Sequence, residues 1–287
     1  MKICAIILDY RGARKTETCL RSLMHERIDT VLVINNSDNA QGTLQLTEAI
    51  ARLKGDGIDY ALHVLDPGTN LGFACGVNFA IGAQEASHCD TFLLLNNDAS
   101  VIPGSIGILA ATLLEEGVDL VAPAVVDDAG NPQPMLWYQR FFGSLTKFAV
   151  PGAFPFFSGC CLLLRRSLLV SGKLFDEDFF MYGEDTLLGW RMARERRPMR
   201  QEENATVRHT GQIRSHTSFF YEYHMARAHI LLACKTLRSP LEILLLLPTK
   251  CLGLSLRALR RSLRYRNGAP IAACLLAWIP LDIRKTD

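Results

Sequence analysis

The stretch Thr91-Phe92-Leu93-Leu94-Leu95-Asn96-Asn97-Asp98 is an apolar run of strand length that leads directly into a polar cluster. The same pattern occurs at residues 2–8, which lead into Asp9, and at residues 30–34, which lead into residues 35–39. Strands that are apolar throughout and alternate with helical spacing predict an α/β fold with a mainly parallel sheet, flanked by helices on both faces.

The alternation extends over the first half of the chain. The predicted strands are 2–8, 30–34, 60–65, 91–95 and 119–125, and the predicted helices are 16–24, 44–53, 71–86 and 103–115. Ligands of such sheets bind beyond the carboxyl ends of the strands. The polar clusters at residues 9–11, 35–39 and 96–98 therefore predict a cleft at one edge of the sheet.

The second half of the chain is less regular. Residues 127–152 have no clear period and predict a loop or flap over the cleft, followed by a strand at 156–165. A helix is predicted at 186–195, a short strand at 204–209 and another helix at 219–237.

Residues 175–191 combine carboxylates with aromatic side chains just before a predicted helix. Glu184 and Asp185 follow Gly183 where this helix begins, so the positive end of the helix dipole favours an ionised carboxylate there. Carboxylates that lose water beside aromatic rings become better proton acceptors. The alternative is an acidic first turn of an ordinary surface helix.

The composition is that of a globular protein, with 287 residues, 49% hydrophobic residues and a net charge of +2. This charge provides no argument for a nucleic-acid partner, and none is expected. The nine cysteines have no paired C-x-x-C spacing, which indicates reduced thiols in a cytosol rather than a disulfide framework or a zinc site. The apolar start ends at Asp9 without a cleavage site and predicts a first strand, not a signal peptide.

The C-terminal region differs from the rest. Two apolar runs, residues 241–256 and 269–281, flank a cluster of five arginines: Arg257, Arg260, Arg261, Arg264 and Arg266. Neither run has the ~20 uninterrupted apolar residues of a membrane-spanning helix. The pattern predicts helices in the membrane interface, with arginines facing anionic headgroups. The alternative is a helix pair for oligomerisation or core packing. The predicted domains are 1–215 and 216–287.

Several residues of the predicted cleft have functional chemistry. Asp98 at a strand end and His209 downstream could hold a divalent cation with positions open for diphosphate oxygens. Each residue alone is equally consistent with a structural role, as a helix cap or a satisfied histidine. The turn at residues 70–78 contains Gly72 and Gly76 but lacks the G-x-G-x-x-G pattern of dinucleotide folds.

The order of these features along the chain is more specific than any single feature. The chain resembles the family-2 glycosyltransferases of the GT-A fold, especially their bacterial rhamnosyltransferase-like branch, over roughly residues 2–215. The motifs that carry the resemblance are Asn70-x-Gly72-Phe73-Ala74-x-Gly76-x-Asn78, Leu94-Leu95-Asn96-Asn97-Asp98, Ser158-Gly159-Cys160, Phe175-Asp176-Glu177-x-Phe179-Phe180-x-Tyr182-x-Glu184-Asp185, Arg191 and His209-x-Gly211.

The resemblance implies transfer of a sugar, with inversion, from a nucleotide-diphosphate donor to a hydroxyl acceptor. Asp185 matches the general base, and Asp98 and His209 match the ligands of Mg²⁺ or Mn²⁺. The residues that match donor-binding positions are Asp9, Tyr10, Asn36, Ser37, Asn70, Gly76, Asn78, Asn97 and Asp98. The acidic residues expected at the acceptor are Asp176, Glu177 and Glu184.

Four positions depart from the family pattern, and one of them is Asn97, where Pro is common. Asn35 replaces an Asp after the second strand, and Asn96 replaces the first Asp of the metal motif, which should weaken metal binding. Leu187 stands where an accessory Asp is common. The departures at Asn96 and Leu187 motivate an alternative, a degenerate protein that binds nucleotide-sugars without catalysis.

A nucleotidyltransferase is the third interpretation, and residues 9–14 match its basic glycine-rich loop only in part.

The expected donor of the glycosyltransferase is TDP-rhamnose, by branch resemblance, or a UDP-sugar. The expected acceptor is a cell-surface polysaccharide or a lipid-linked glycan. The expected location is the cytoplasm, peripheral on the inner face of the cell membrane.

Overall fold

The computed structural model describes residues 1–210, 218–281 and 283. The strands in chain order are β1 Ile3–Asp9, β2 Thr30–Asn35, β3 Ala61–Leu65, β4 Thr91–Leu95, β5 Ala99–Val101, β6 Leu120–Val126, β7 Pro132–Gln133, β8 Leu136–Gln139, β9 Ser144–Thr146, β10 Ala153–Phe156, β11 Cys161–Arg165 and β12 Met199–His209. The helices are α1 Ala13–Arg21, α2 Ala40–Gly55, α3 Gly72–Ile81, α4 Ser105–Leu114, α5 Glu184–Glu195, α6 Phe219–Lys235, α7 Ile243–Tyr265 and α8 Ala269–Leu276.

The described chain divides into two compact units that interleave along the sequence. Unit 1 comprises 1–135, 157–175 and 192–211, and unit 2 comprises 136–156, 176–191 and 212–287. The predicted boundary between residues 215 and 216 lies outside the described residues.

Unit 1 contains the large sheet, whose strand order is β3-β2-β1-β4-β11-β6-β12-β5 with β7 beside β6. Strands β3, β2, β1 and β4 are parallel, as the alternating sequence predicts. Strand β11 is antiparallel to both of its neighbours, β4 and β6, so the second half of the sheet is mixed. Strands β1, β2 and β4 are almost entirely buried because helices cover both faces.

The parallel strands direct their carboxyl ends to one edge. Asp9 ends β1, Asn35 ends β2 opposite it in register, and Leu95 ends β4 just before Asn96. Asn39 caps α2 by accepting a hydrogen bond from the backbone of Gly42, and this starts the helix directly after the polar cluster. The predicted edge of polar clusters is therefore present in unit 1.

Unit 1 differs from the prediction at several elements. Strand β7 forms within the predicted loop at 127–152, and in unit 1 the predicted strand at 156–165 is reduced to β11, Cys161–Arg165. Strand β12 has 11 residues instead of the predicted short strand, and an irregularity between Glu202 and Thr206 interrupts its pairing with β6. Strand β5 was not predicted. Its three residues, Ala99–Val101, are too few to show a period, and they pair with the end of β12.

Unit 2 contains a small antiparallel sheet, of order β10-β8-β9, together with α6, α7 and α8. The prediction of a loop at 127–152 was wrong in part, because β8 and β9 form here from strands of four and three residues. The apolar run that Pro248 interrupts is one continuous helix, α7, with Pro248 inside it. Among the described residues, no helix combines the length and the hydropathy needed to cross a bilayer.

Candidate active site

A buried carboxylate organises the end of β1. Asp9 accepts hydrogen bonds from the hydroxyls of Thr16 and Ser37, and Thr16 in turn accepts one from the Asn97 amide at 3.1 Å. Burial raises the pKa of Asp9, although the hydrogen bonds from Thr16 and Ser37 act in the opposite direction. A Cβ atom at Gly12 would lie 2.7 Å from Asn97 Nδ2, so glycine leaves room for the Asn97 amide here. Asp9, Ser37 and Asn97 are therefore joined in one network. Their predicted role in binding the donor stays a prediction.

The asparagines after β2 hold the neighbouring loops. Asn35 donates from Nδ2 to Thr43 and to Asp66, at 2.9 and 3.0 Å. Asn36 donates to the carbonyl of Gly72 at 3.0 Å, and its own oxygen accepts from the backbone of Leu71. These bonds fix the strand end against the start of α3. Their predicted role in binding the donor stays a prediction.

The turn before α3 has both a polar and a packing component. Asn70 accepts a hydrogen bond from the backbone of Gly72 at 2.9 Å. A Cβ atom at Gly76 would lie 2.6 Å from Leu8 Cδ2, so glycine allows α3 to approach β1 closely. The Asn78 amide bonds the backbone of Leu174 and Phe175 at 2.9–3.1 Å. Gly76 and Asn78 thus have evident structural roles in unit 1.

Two charged residues that the sequence analysis did not single out lie at the same edge. Arg11 Nε donates to Asp38 at 2.9 Å, and the Arg11 backbone donates to Ser37. The Arg11 guanidinium also lies 5.2 Å from the centre of the Tyr10 ring. Burial, followed by the negative charge of Asp38, raises the pKa of Tyr10. The pair connects the ends of β1 and β2, and its signal in the sequence is only its position in the two polar clusters.

Asp98 and His209 meet although they are 111 positions apart in sequence, because β5 pairs with β12 and sets Ala99 opposite His209. His209 Nε2 lies 3.1 Å from Asp98 Oδ1, and Lys15 Nζ lies 3.7 Å from Oδ2. Burial opposes ionisation of Asp98, but the hydrogen bond and charge of His209 and the charge of Lys15 outweigh it, so the pKa of Asp98 is lowered. Lys15 was not identified from the sequence. Gly211, the last residue of the His209-x-Gly211 motif, lies outside the described residues.

The donor chemistry of this pair fits a divalent cation. One carboxylate oxygen and one imidazole nitrogen stand 3.1 Å apart, close to the ~3 Å between adjacent octahedral ligands with bonds of about 2.1 Å. In the described part of the chain, no three His, Cys, Asp or Glu side chains come together to hold a metal.

In unit 2, Glu184 and Asp185 begin α5 as predicted. The backbone of Thr186 donates to Asp185 Oδ1 at 2.6 Å. Tyr182 and Gly183 before them have φ of 67° and 89°, and a Cβ at Gly183 would contact Phe179 and Ala228 at 2.9 Å. This tight turn aligns both carboxylates with the amino end of the helix.

The two neighbouring carboxylates have different surroundings. Glu184 is buried, and within the described residues its Oε2 has no hydrogen-bond partner. Burial, and then the charge of Asp185, raise the pKa of Glu184 to about 8. Burial thus favours the neutral form of Glu184, whereas Asp185 is partly exposed and receives a backbone N–H.

The other predicted acceptor residues lie on the segment before α5. Lys235 of α6 bridges Asp176 and Asp178, with 2.6 Å to each. Burial opposes the charge of Lys235, but its hydrogen bonds to the two carboxylates outweigh this and raise its pKa. Glu177 is exposed. Asp185 and Asp98 belong to different units, so a shared cleft between them stays a prediction.

Comparison with known proteins identifies the architecture. The family model described as Glycosyl transferase family 2 matches residues 4–171. No match was found among the curated proteins.

Solved structures with the same fold include the mannosyltransferase PcManGT from Pyrobaculum calidifontis in complex with GDP-Man and Mn²⁺. It has a TM-score of 0.60 and 15% identity, covering 97% of this chain and 86% of that chain. S. aureus TarS 1-349 in complex with UDP-GlcNAc has a TM-score of 0.54 and 17% identity, covering 96% of this chain and 81% of that chain. GalNAc-T7 with UDP, GalNAc and Mn²⁺ has a TM-score of 0.60 and 12% identity, covering 74% of this chain. This chain spans only 44% of the GalNAc-T7 chain.

At these identities the structural likeness establishes the fold. The predicted GT-A architecture is confirmed, whereas the rhamnosyltransferase-like branch stays a prediction. The family model covers more than half of the 287 residues. The chain therefore belongs to glycosyl transferase family 2.

Proposed function

We propose that this protein is an inverting glycosyltransferase that moves a sugar from a nucleotide-diphosphate donor to a hydroxyl of a glycan. The observation that carries the proposal is the meeting of Asp98 and His209, 3.1 Å apart, beside the polar network at the carboxyl ends of β1, β2 and β4. Ligands of open α/β sheets bind at this edge. PcManGT and TarS, which share the fold, were solved with nucleotide-sugars.

The donor nucleotide is assigned to the edge formed by Asp9, Tyr10, Asn36 and Ser37. The hydrogen bonds described above preorganise this edge, which lowers the entropic cost of binding. Asn70 and Asn97 of the adjoining loops, and Gly76 and Asn78 of α3, support the same edge. TDP-rhamnose and UDP-sugars are the donors to test first.

Asp98 and His209 are the residues that would hold a Mg²⁺ or Mn²⁺ ion. Such an ion supplies positive charge that stabilises the leaving diphosphate. Lys15, close to the other oxygen of Asp98, adds positive charge at the same place.

Asp185 is proposed as the general base. Its carboxylate accepts the proton of the acceptor hydroxyl while the hydroxyl oxygen bonds to the anomeric carbon. The bond from that carbon to the donor phosphate breaks with its electron pair on the diphosphate, and the configuration inverts. Burial favours the neutral form of Glu184, which reduces the negative charge beside Asp185. Asp176, Glu177 and Glu184 are proposed to contact the acceptor.

The acceptor is proposed to be a cell-surface polysaccharide or lipid-linked glycan, reached while the protein is bound to the inner surface of the cell membrane. The arginines and leucines of α7 support this location.

The proposal is tested by a thermal-stability screen of nucleotide-sugars with and without Mn²⁺, followed by measurement of nucleoside-diphosphate release after a glycan acceptor is added. A donor at about 100 times its Kd should stabilise the fold by about 2.7 kcal/mol. We expect Asp98→Ala to reduce both the thermal stabilisation by the donor and the release of nucleoside diphosphate. Asp128→Asn, a change at an exposed carboxylate, should leave both unchanged. Absence of binding over the whole panel would contradict the proposal. Binding without release would instead support the non-catalytic alternative.

A further inference from the structure

Helix α7 has apolar residues on two opposite sides. Leu246, Leu254 and Ala258 are buried at intervals of four or eight residues and form the inner side, together with Lys250. A second row is exposed to 50–71%, and consists of Leu245, Leu252, Leu256, Leu259 and Leu263. Their spacing of seven, four, three and four residues sets these leucines on one side of the helix. An exposed apolar row of this length is typical of an interaction surface.

The exposed apolar surface continues beyond α7. The exposed large hydrophobic residues of α8 and the segment after it are Ile271, Leu275, Leu276, Trp278, Ile279 and Leu281. A partly exposed tryptophan among aliphatic residues is typical of proteins at a membrane–water interface.

The charge of this region has one sign. Residues 243–281 contain Lys250 and five arginines but no aspartate or glutamate. Arg257 and Arg261 are paired with Glu222 of α6, at 3.1 and 2.6 Å. Arg260 and Arg264 are exposed, and the described residues provide no ion pair for either.

The exposed arginines lie beside the leucine row. They border a hollow of about 350 Å³ that is lined by Leu256, Arg257, Arg260, Arg261, Arg264 and Tyr265. Guanidinium groups bind phosphate oxygens through paired hydrogen bonds. The hollow therefore offers cationic donors directly next to an apolar row.

We propose that this leucine–arginine face, defined as Leu245, Leu252, Leu256, Leu259 and Leu263 with Arg260 and Arg264, docks α7 flat on an anionic lipid bilayer. The leucines enter the boundary between headgroups and acyl chains, and the arginines contact lipid phosphates. The inference rests on the proposed function in one respect, since it specifies how the transferase reaches a membrane-attached acceptor.

Charge complementarity favours a bilayer over a second copy of the chain. The leucine spacing alone would also suit a paired helix. However, two copies of this face would bring unpaired arginines together without any acidic residue from α7 to neutralise them. An anionic membrane supplies the missing negative charge.

The test is co-sedimentation of the full chain with vesicles of phosphatidylcholine containing 30% phosphatidylglycerol, compared with vesicles of phosphatidylcholine alone. We expect binding to the anionic vesicles that high salt weakens. Arg260→Ser with Arg264→Ser should reduce the partition coefficient roughly 30-fold, since each basic residue near the surface contributes about 1 kcal/mol. Leu256→Ser with Leu259→Ser should reduce it roughly 10- to 100-fold.

Matched controls are Leu44→Ser and Arg194→Ser, which change exposed residues outside this face; both should bind like the wild type. Equal binding to neutral and anionic vesicles, or an unchanged partition of both double variants, would overturn the proposal. A wild-type dimer in light scattering that the leucine variant loses, without vesicle binding, would assign the face to a second copy instead. The readout needs no sugar transfer, so it stays informative if the proposed activity fails.

Discussion

At the scale of single residues, the start of α5 contains two carboxyl groups with different surroundings. Glu184 is buried without a hydrogen-bond partner for Oε2 in the described residues, and its pKa is raised to about 8. Asp185 is partly exposed and receives the Thr186 amide. A neutral Glu184 avoids a second negative charge beside the proposed base, which is how adjacent carboxyl groups commonly divide their roles.

The variant Glu184→Gln tests this protonation state. The folded-state pKa of Glu184, about 8, exceeds its ordinary value of 4.5, so the folded protein retains a proton that the unfolded chain releases. The wild type should therefore lose stability as pH rises from about 4.5 to about 8, by on the order of a few kcal/mol. Glutamine stays neutral, so the variant should lack this loss. The measurement is urea unfolding at several pH values.

The control is Glu195→Gln at the exposed end of the same helix, which should keep the wild-type pH dependence. Equal pH slopes for wild type and Glu184→Gln would show that Glu184 is ionised in the folded protein.

The sequence predicts the residue types of the candidate site better than their contacts. Asp9, Asn36, Ser37 and Asp98 each follow an apolar strand, and the carboxyl ends of parallel strands share an edge. The contact of Asp98 with His209 depends on the pairing of β5 with β12, and no local period reveals such a distant pairing. Lys15 and Arg11 were missed because charged residues on a first helix or turn ordinarily face solvent.

At the scale of secondary structure, strands with an unbroken apolar run were predicted, whereas the shortest strands were not. Strands β1, β2 and β4 have unbroken apolar runs, which explains their agreement with the prediction. The pieces β8 to β10 have only three or four residues each, so cross-strand pairing rather than periodicity determines them. Pro248 removes one backbone hydrogen bond from α7. Packing of the helix outweighs this cost, so α7 continues through the proline.

Gly189 in α5 allows β10 to approach the helix closely, and a substitution at this residue tests that packing. A Cβ at this position would contact Cβ of Phe156 and lie 2.7 Å from the carbonyl oxygen of Pro155. Gly189→Ala should therefore lower the free energy of unfolding by about 1–3 kcal/mol, the usual cost of overpacking.

Gly107 in α4 is the matched helical control, because nothing lies within 4 Å of an added Cβ. Gly107→Ala should raise the free energy of unfolding by about 0.5–1 kcal/mol through helix propensity. Denaturant unfolding measures the free energy of unfolding of both variants. Equal changes in Gly189→Ala and Gly107→Ala would show that Gly189 has no packing role.

At the scale of the whole molecule, the proposed reaction assigns complementary groups to the two units. Unit 1 contains the donor edge with Asp98 and His209, and unit 2 contains Asp185 at the start of α5. The leucine–arginine face also belongs to unit 2. The proposed base and the proposed membrane contact are therefore parts of the same compact unit.

The most direct measurement is the rate and stereochemistry of sugar transfer by wild type and Asp185→Asn, with a donor shown to bind both. We expect a product of inverted anomeric configuration from the wild type and a kcat roughly 10²- to 10⁴-fold lower in Asp185→Asn, the usual contribution of a general base. Glu195→Gln should transfer at the wild-type rate. An undiminished kcat in Asp185→Asn, or a product that retains the donor configuration, would contradict the account.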